Sequence, residues 1–126
     1  MDNKAALSIA DSANNYAFDM HAYLDFPNSP TAYVDLVTPV TDWAIAHGNL
    51  LFLSELGVKN GAINGGSALK NLFDYLDANS NIWVGWTTWN LPPYNLYDDS
   101  PAGGYTTDGP EMAWYTPCLI PDMVST

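Results

Sequence analysis

Positive charge is scarce in this sequence of 126 residues. It contains three lysines, at Lys4, Lys59 and Lys70, and no arginine, and its net charge is −11. Nucleic acids and anionic membrane surfaces are bound by basic faces that neutralise phosphate groups. The composition therefore argues strongly against nucleic acid and against a membrane as partners, and it is compatible with a neutral substrate.

Cysteine and long apolar runs are also lacking. Cys118 is the single cysteine, so no disulfide can form within the chain. No apolar run approaches the roughly 20 residues of a membrane helix, and no basic segment followed by an apolar one marks a signal peptide near Met1. The length suits a single domain, but it is short of the roughly 250 residues of a complete (β/α)₈ barrel.

Motifs for metal, phosphate and serine chemistry are absent as well. His21 and His47 are far apart, and neither HxxH nor CxxC spacing occurs. Gly65-Gly66 is not followed by the GK[ST] of a phosphate loop, and there is no GxSxG elbow. We expect no metal and no cofactor, and we interpret His47 as the polar end of a helix, where its charge suits the dipole.

What the sequence has in abundance is aromatic side chains, with five Trp, eight Tyr and four Phe. Sugar rings stack on the flat faces of such side chains, although most aromatic residues belong to a core. Trp89 fits either a sugar-stacking platform or a core tryptophan. Trp83, at the start of its predicted strand, fits the core better.

The hydrophobic pattern predicts three strands. Residues 16–23 alternate, which places Asp19, His21 and Tyr23 on one face. A continuous apolar run over 50–53 ends in Ser54-Glu55 and is typical of a strand buried on both faces. Residues 82–89 form the third strand.

Two helices are predicted between these strands. Thr38 as N-cap and Pro39 at the first helical position mark the start of a helix that ends at Gly48-Asn49. Residues 60–66 are predicted as a glycine-rich loop, followed by an amphipathic helix over 68–76 that Asn79-Ser80-Asn81 closes. Strand, helix, strand, helix, strand predicts a parallel sheet with right-handed crossovers, followed from Asn90 by mostly loop.

Glu55 is the more informative of two glutamates, because it directly follows an apolar strand. The carboxyl ends of parallel strands carry the active sites of α/β folds. Position alone leaves open whether Glu55 is functional or faces water. If the strands are neighbours, Tyr23 can donate a hydrogen bond to it and His21 can position a substrate hydroxyl or the partner acid, although a lone strand histidine is usually a core residue.

Three segments, taken in order, resemble the last strand motifs of the family-5 glycoside hydrolases. Residues 21–25 (HAYLD) resemble the motif that ends the sixth barrel strand, 51–57 (LFLSELG) the seventh, and 85–89 (GWTTW) the eighth. The resemblance covers about residues 16–90. It implies an α/β fold, a partial TIM barrel of about the last three β/α units with a loop-rich C-terminal tail. Residues 1–126 would be a single C-terminal fragment of a catalytic domain.

The resemblance also implies an activity, namely endo-acting hydrolysis of β-1,4-glucan (cellulose-type) chains with retention. Glu55 would be the nucleophile, and His21 and Tyr23 its active-site neighbours. The partner would be a β-glucan polysaccharide or oligosaccharide. Three residues would bind this substrate: Trp89, Lys59 and Asn90.

The chain departs from the family pattern in several places. Ser54 replaces a common Gly and Leu56 a common Phe, and the chain has no arginine and no Asn-Glu pair, the motif that carries the family's acid/base. A retaining hydrolase needs two carboxyl groups about 5–5.5 Å apart. The acid/base partner is therefore expected to be missing from this chain, with Glu111 and Asp19 as candidates only by elimination, because the acid also needs a raised pKa.

Two alternatives stay open at this point. The chain could be a catalytically incomplete fragment that only binds sugar through its aromatics, or an unrelated α/β fold with an apolar ligand site. A sheet order that separates Glu55 from His21 would favour the unrelated fold. Three parallel strands leave two open edges, which predicts self-association. The family is commonly secreted, but the sequence does not determine the compartment.

Overall fold

The computed structural model describes residues 11–58 and 62–88. In this part of the chain the three strands form one sheet in the order β1-β2-β3, and both pairs are parallel. This confirms the predicted parallel sheet with a helix in each crossover. The elements are β1 (Phe18–Tyr23), α1 (Ala32–His47), β2 (Leu51–Gly57), α2 (Gly65–Ala78) and β3 (Trp83–Trp86).

The predicted start of α1 at Thr38-Pro39 is wrong, since the helix begins at Ala32 and Pro39 lies inside it. A proline in a helix interior removes one backbone hydrogen bond and costs about 3 kcal/mol. A buried stripe at helical spacing spans both sides of the proline and outweighs this cost, since each buried apolar side chain contributes about 1.5–3 kcal/mol. The stripe consists of Tyr33, Val37, Thr41 and Ala44.

The C-terminal end of α1 lies where the sequence predicts it. Gly48 takes the left-handed conformation with φ 67°, and its N–H donates to the carbonyl of Ile45. Glycine adopts this conformation without a Cβ penalty. His47 lies in the last turn, as predicted, and its Nδ1 donates to the carbonyl of Trp43 at 2.8 Å.

The core lies between the sheet and the two helices. Helix α2 confirms the predicted amphipathic pattern and its end at Asn79, whose N–H donates to Tyr75 and Leu76. Gly65 and Gly66, predicted as loop, instead form its first turn, because the N–H of Ala68 bonds the carbonyl of Asn64. Neither described helix is long and apolar enough to cross a membrane. The fully buried leucines of β2 and α2 are Leu51, Leu53, Leu56, Leu69 and Leu72.

Strand β3 is shorter than predicted and packs tightly on β2. The strand ends at Trp86. Trp89, which was predicted to end it, lies outside the described residues. A Cβ built on Gly85 would lie 2.8 Å from Cε2 of Phe52, closer than real contacts allow. Glycine at this position therefore lets the Phe52 ring lie against the backbone of β3.

Trp83 is a core residue, as predicted, and it joins β3 to α1. Its side chain is 4% exposed, and its indole Nε1 donates to Oγ1 of Thr41 at 3.0 Å. The Thr41 hydroxyl in turn donates to the carbonyl of Val37 at 3.0 Å. A buried indole N–H needs such an acceptor, because leaving it without one costs about 1–3 kcal/mol.

We therefore expect Thr41→Val, which keeps the shape but removes the acceptor, to lower the free energy of unfolding by about 1–3 kcal/mol. Urea denaturation followed by tryptophan fluorescence measures the change. Thr41→Ser is the matched control, because it keeps the hydroxyl, and it should be the milder variant. If Thr41→Val is as stable as the unsubstituted chain, the buried bond does not stabilise the fold.

Candidate active site

An irregularity in β2 determines which side chains meet at the carboxyl end of the sheet. Met20 of β1 pairs with Leu53, but the next residue, His21, pairs with Glu55, so Ser54 is an extra residue in β2. In such a bulge two residues of one strand lie opposite one residue of the other. The bulge brings Glu55 into register with His21. Strand β2 also continues to Gly57, so Glu55 lies within the strand and not after its end.

The structure brings Glu55, His21 and Tyr23 together. The Tyr23 hydroxyl donates to Oε2 of Glu55 at 2.5 Å, and Nδ1 of His21 lies 3.2 Å from the same oxygen. The Glu55 side chain is 23% exposed and that of His21 49%, so the carboxylate is mostly enclosed but still open to solvent. Strands β1 and β2 are neighbours, so Glu55 is not separated from His21 and the sheet order does not favour an unrelated α/β fold.

Asp19 lies on the far side of the imidazole from Glu55. Its Oδ2 is 3.2 Å from Nε2 of His21. Hydrogen bonding from the Ser54 side chain has the largest effect on the pKa of Asp19 and lowers it. Desolvation opposes this effect, and the charge and hydrogen bond of His21 lower the pKa further, so that it lies below its ordinary value. The carboxylate therefore stays charged in mild acid. Its contribution to stability is complete above the ordinary pKa of Asp and is lost as the pH falls through the folded-state pKa.

Two supporting residues were missed by the sequence analysis. The hydroxyl of the fully buried Tyr33 donates to the carbonyl of Gly57 and accepts from the N–H of Leu24 at 3.1 Å, which ties together the ends of β1 and β2. The hydroxyl of Thr87 donates to the carbonyl of Ser54. Only the true start of α1 would have signalled Tyr33, because the predicted helix began after it.

The remaining predicted site residues are not described by the structure. Trp89, Lys59 and Asn90, predicted to bind substrate, lie outside the described residues, as does the candidate acid Glu111. Within residues 11–58 and 62–88 no group of three or more His, Cys, Asp or Glu side chains could hold a metal ion. The described site consists of Glu55 and the β1 residues that face it.

We expect Tyr23→Phe to lower the free energy of unfolding by about 1–2 kcal/mol, because it removes a short hydrogen bond to a mostly enclosed carboxylate. Urea denaturation at neutral pH measures this. Tyr16→Phe is the matched control, since the Tyr16 hydroxyl lies 3.5 Å from Oδ1 of Asn49, at the limit of a hydrogen bond. Equal stability of the two variants would contradict a stabilising role for the Tyr23 bond.

Comparison with known proteins gives one consistent family. The sequence profile of the cellulase family, glycosyl hydrolase family 5, matches residues 2–92. The chain is similar to endoglucanase gh5-1 of Neurospora crassa, with 31% identity over 91% of this chain and 32% of that protein. It is also similar to the structure of endo-β-1,4-glucanase Xac0029 of Xanthomonas axonopodis pv. citri, with a TM-score of 0.76 and 28% identity over 90% of this chain and 39% of that one.

A structure of XacCel5A in complex with cellopentaose is similar as well, with a TM-score of 0.75 and 29% identity over 91% of this chain and 40% of that one. The chain thus spans about a third of the length of the curated relative and two fifths of the solved structures. The match confirms the predicted fold, a parallel sheet with helices that forms part of a TIM barrel. Since the family profile covers well over half of its residues, the chain belongs to glycosyl hydrolase family 5, the cellulase family.

Proposed function

We propose that this chain is the C-terminal part of the catalytic domain of an endo-β-1,4-glucanase that cleaves its substrate with retention, with Glu55 as nucleophile. The family membership and the endoglucanase names of the similar proteins support the reaction class. The observation that carries the assignment of Glu55 is its position in the sheet. A strand bulge holds its carboxylate against the Tyr23 hydroxyl at 2.5 Å and His21 at 3.2 Å.

The geometry suggests which oxygen reacts. Tyr23 and His21 both contact Oε2, so we assign the attack to Oε1 of Glu55. Oε1 bonds to the anomeric carbon as the glycosidic C–O bond breaks, and the leaving oxygen takes that electron pair and a proton from a general acid. Water then attacks the same carbon from the other face, loses a proton to the conjugate base of the general acid and releases the carboxylate. Two inversions give net retention.

The general acid has to come from elsewhere. Asp19 is unsuited, because its pKa is lowered and a general acid at neutral pH needs a raised one. The His21 ring also stands between Asp19 and Glu55. The chain spans only about a third to two fifths of the length of its relatives. We therefore propose that the polypeptide that completes the barrel supplies the acid/base residue.

The proposed substrate is a β-1,4-linked glucan. XacCel5A, to which the chain is similar, is described in complex with cellopentaose, a neutral oligosaccharide. A neutral sugar needs no basic partner, which suits a chain with a net charge of −11. Trp89, Lys59 and Asn90 stay predicted contacts to this sugar.

Labelling with dinitrophenyl 2-deoxy-2-fluoro-β-cellobioside tests the assignment. Its leaving group departs as a stable phenolate without a general acid, so the reagent reports on the nucleophile alone. We expect mass spectrometry of the digested protein to find one fluorocellobiosyl group on the peptide that contains Glu55.

Glu55→Gln should take no label, because the amide is not a nucleophile, and circular dichroism should show an intact fold. Asp42→Asn, a change to an exposed acid on α1, is the matched control and should label like the unsubstituted chain. Label on a different residue would refute the role of Glu55. A folded chain that binds cellopentaose but takes no label would support the alternative of a fragment that only binds sugar.

The open sheet leads to a second expectation, that the isolated chain self-associates. Strands β1 and β3 are the edges of the described sheet, and Val84 on β3 is 52% exposed. Unpaired edges with apolar side chains favour pairing with another chain. Light scattering should show a mass that rises with concentration, and Val84→Lys should reduce the rise because charge on an edge opposes pairing.

Leu36→Lys is the control, since Leu36 is similarly exposed, at 40%, but lies on α1. It should leave the association unchanged if the sheet edge is responsible. A constant monomer mass at every concentration would contradict the expectation.

A further inference from the structure

The imidazole of His21 contacts two carboxylates at once. Its Nε2 lies 3.2 Å from Oδ2 of Asp19, and its Nδ1 lies 3.2 Å from Oε2 of Glu55. An ionised carboxylate can only accept a hydrogen bond. Both contacts are therefore hydrogen bonds when both ring nitrogens carry a proton. In that state Nε2 donates to Asp19 and Nδ1 donates to Glu55, so the ring is held from both sides.

The bulge in β2 places a further group beside this bridge. Ser54 is the extra residue of β2, and hydrogen bonding from its side chain is the largest cause of the lowered pKa of Asp19. The backbone at Ser54 is itself held, since its carbonyl accepts from the hydroxyl of Thr87 on the segment after β3. Asp19 therefore contacts His21 on β1, and its pKa is also lowered by Ser54 on β2.

We propose that Asp19, supported by Ser54, is a positioning residue that orients His21 and thereby holds Oε2 of Glu55. Without Asp19, the half-exposed ring has one point of contact in the described part of the chain and is free to rotate about it. With Asp19, the ring and the Tyr23 hydroxyl hold Oε2 together, which keeps Oε1 aimed at the substrate. This inference rests on the role proposed for Glu55.

The groups that face Asp19 are few in the described part of the chain. His21 lies beside it on β1, and Ser54 faces it from β2. Glu55 lies beyond the imidazole, and Tyr23 contacts Glu55 from the end of β1. The His21 ring thus reaches both carboxylates, which is why a change at Asp19 is transmitted to Glu55 through the ring.

The first experiment measures the labelling rate of Glu55 by the fluorocellobioside in the full chain. Asp19→Ala removes the acceptor and should slow the bond-forming step by roughly ten- to a hundredfold, the range expected for a misplaced reacting group. The reagent concentration at half-maximal rate should change less. Asp19→Asn keeps an oxygen that accepts from Nε2 and should recover most of the rate. Asp42→Ala, on the exposed face of α1, should match the unsubstituted chain.

The second experiment tests the contacts of Asp19 directly and does not depend on the reactivity of Glu55. The titration of the Asp19 carboxyl carbon, followed by NMR, should show a pKa below the ordinary value. Ser54→Ala should raise the pKa of Asp19 towards the ordinary value, and His21→Asn should raise it as well, because each removes a cause of the shift.

The outcomes separate the two proposals. An ordinary pKa for Asp19 that neither substitution changes would show that the bridge does not form and would overturn the inference. A bridge that forms, together with Asp19→Ala labelling at the unsubstituted rate, would overturn the positioning role. If the unsubstituted chain takes no label, the role of Glu55 fails, and with it the positioning role, whereas the titration still decides whether the bridge exists.

Discussion

The site depends on one extra residue in strand β2. With regular pairing, successive side chains of a strand point to opposite faces of the sheet, so Ser54 and Glu55 could not both lie on the face that carries Asp19 and His21. The register shift between Met20 and His21 places Glu55 opposite His21, and the contact of Glu55 with Tyr23 follows from it. A local irregularity of the backbone therefore assembles the carboxylate, the imidazole and the phenol.

Buried hydrogen bonds hold the elements that carry this bulge. Tyr33 bonds to the backbone after β1 and at the end of β2, and Trp83 bonds to Thr41 of α1. Polar groups inside a core have few alternative partners, so such bonds favour one arrangement of the elements over others. The apolar residues stabilise the sheet against the helices, and these few polar contacts determine how the strand ends are aligned.

The charges of the site suit a nucleophile better than a complete acid/base pair. Glu55 accepts a hydrogen bond from the Tyr23 hydroxyl, and Nδ1 of His21 lies 3.2 Å from the same oxygen. Asp19 has a lowered pKa and contacts the far side of the same imidazole. Asp19 and Glu55 both act as hydrogen-bond acceptors in these contacts, and the proton donor that glycoside hydrolysis requires is assigned to the rest of the barrel.

The sequence by itself determined the element order, the parallel sheet and the candidate residues near the carboxyl ends of its strands, and the structure showed that these strands are neighbours. Apolar patterns and short motifs are local, and they predict His21, Tyr23 and Glu55 near the carboxyl ends of their strands. The same local signals misplaced the start of α1 and the loop before α2. Pro39 and Gly65 carry strong local preferences that packing against the sheet overrides.

Only the tertiary structure decided the bulge, the Tyr33 tie and the bridge from Asp19 through His21 to Glu55. Each of these features includes a contact between residues far apart in sequence, for example Tyr33 with Gly57, 24 positions apart, and Tyr23 with Glu55, 32 positions apart. The pairing register of two strands depends on how their side chains pack together and against the helices. No pattern within one strand contains that information, so the sequence could name the site residues but not their contacts.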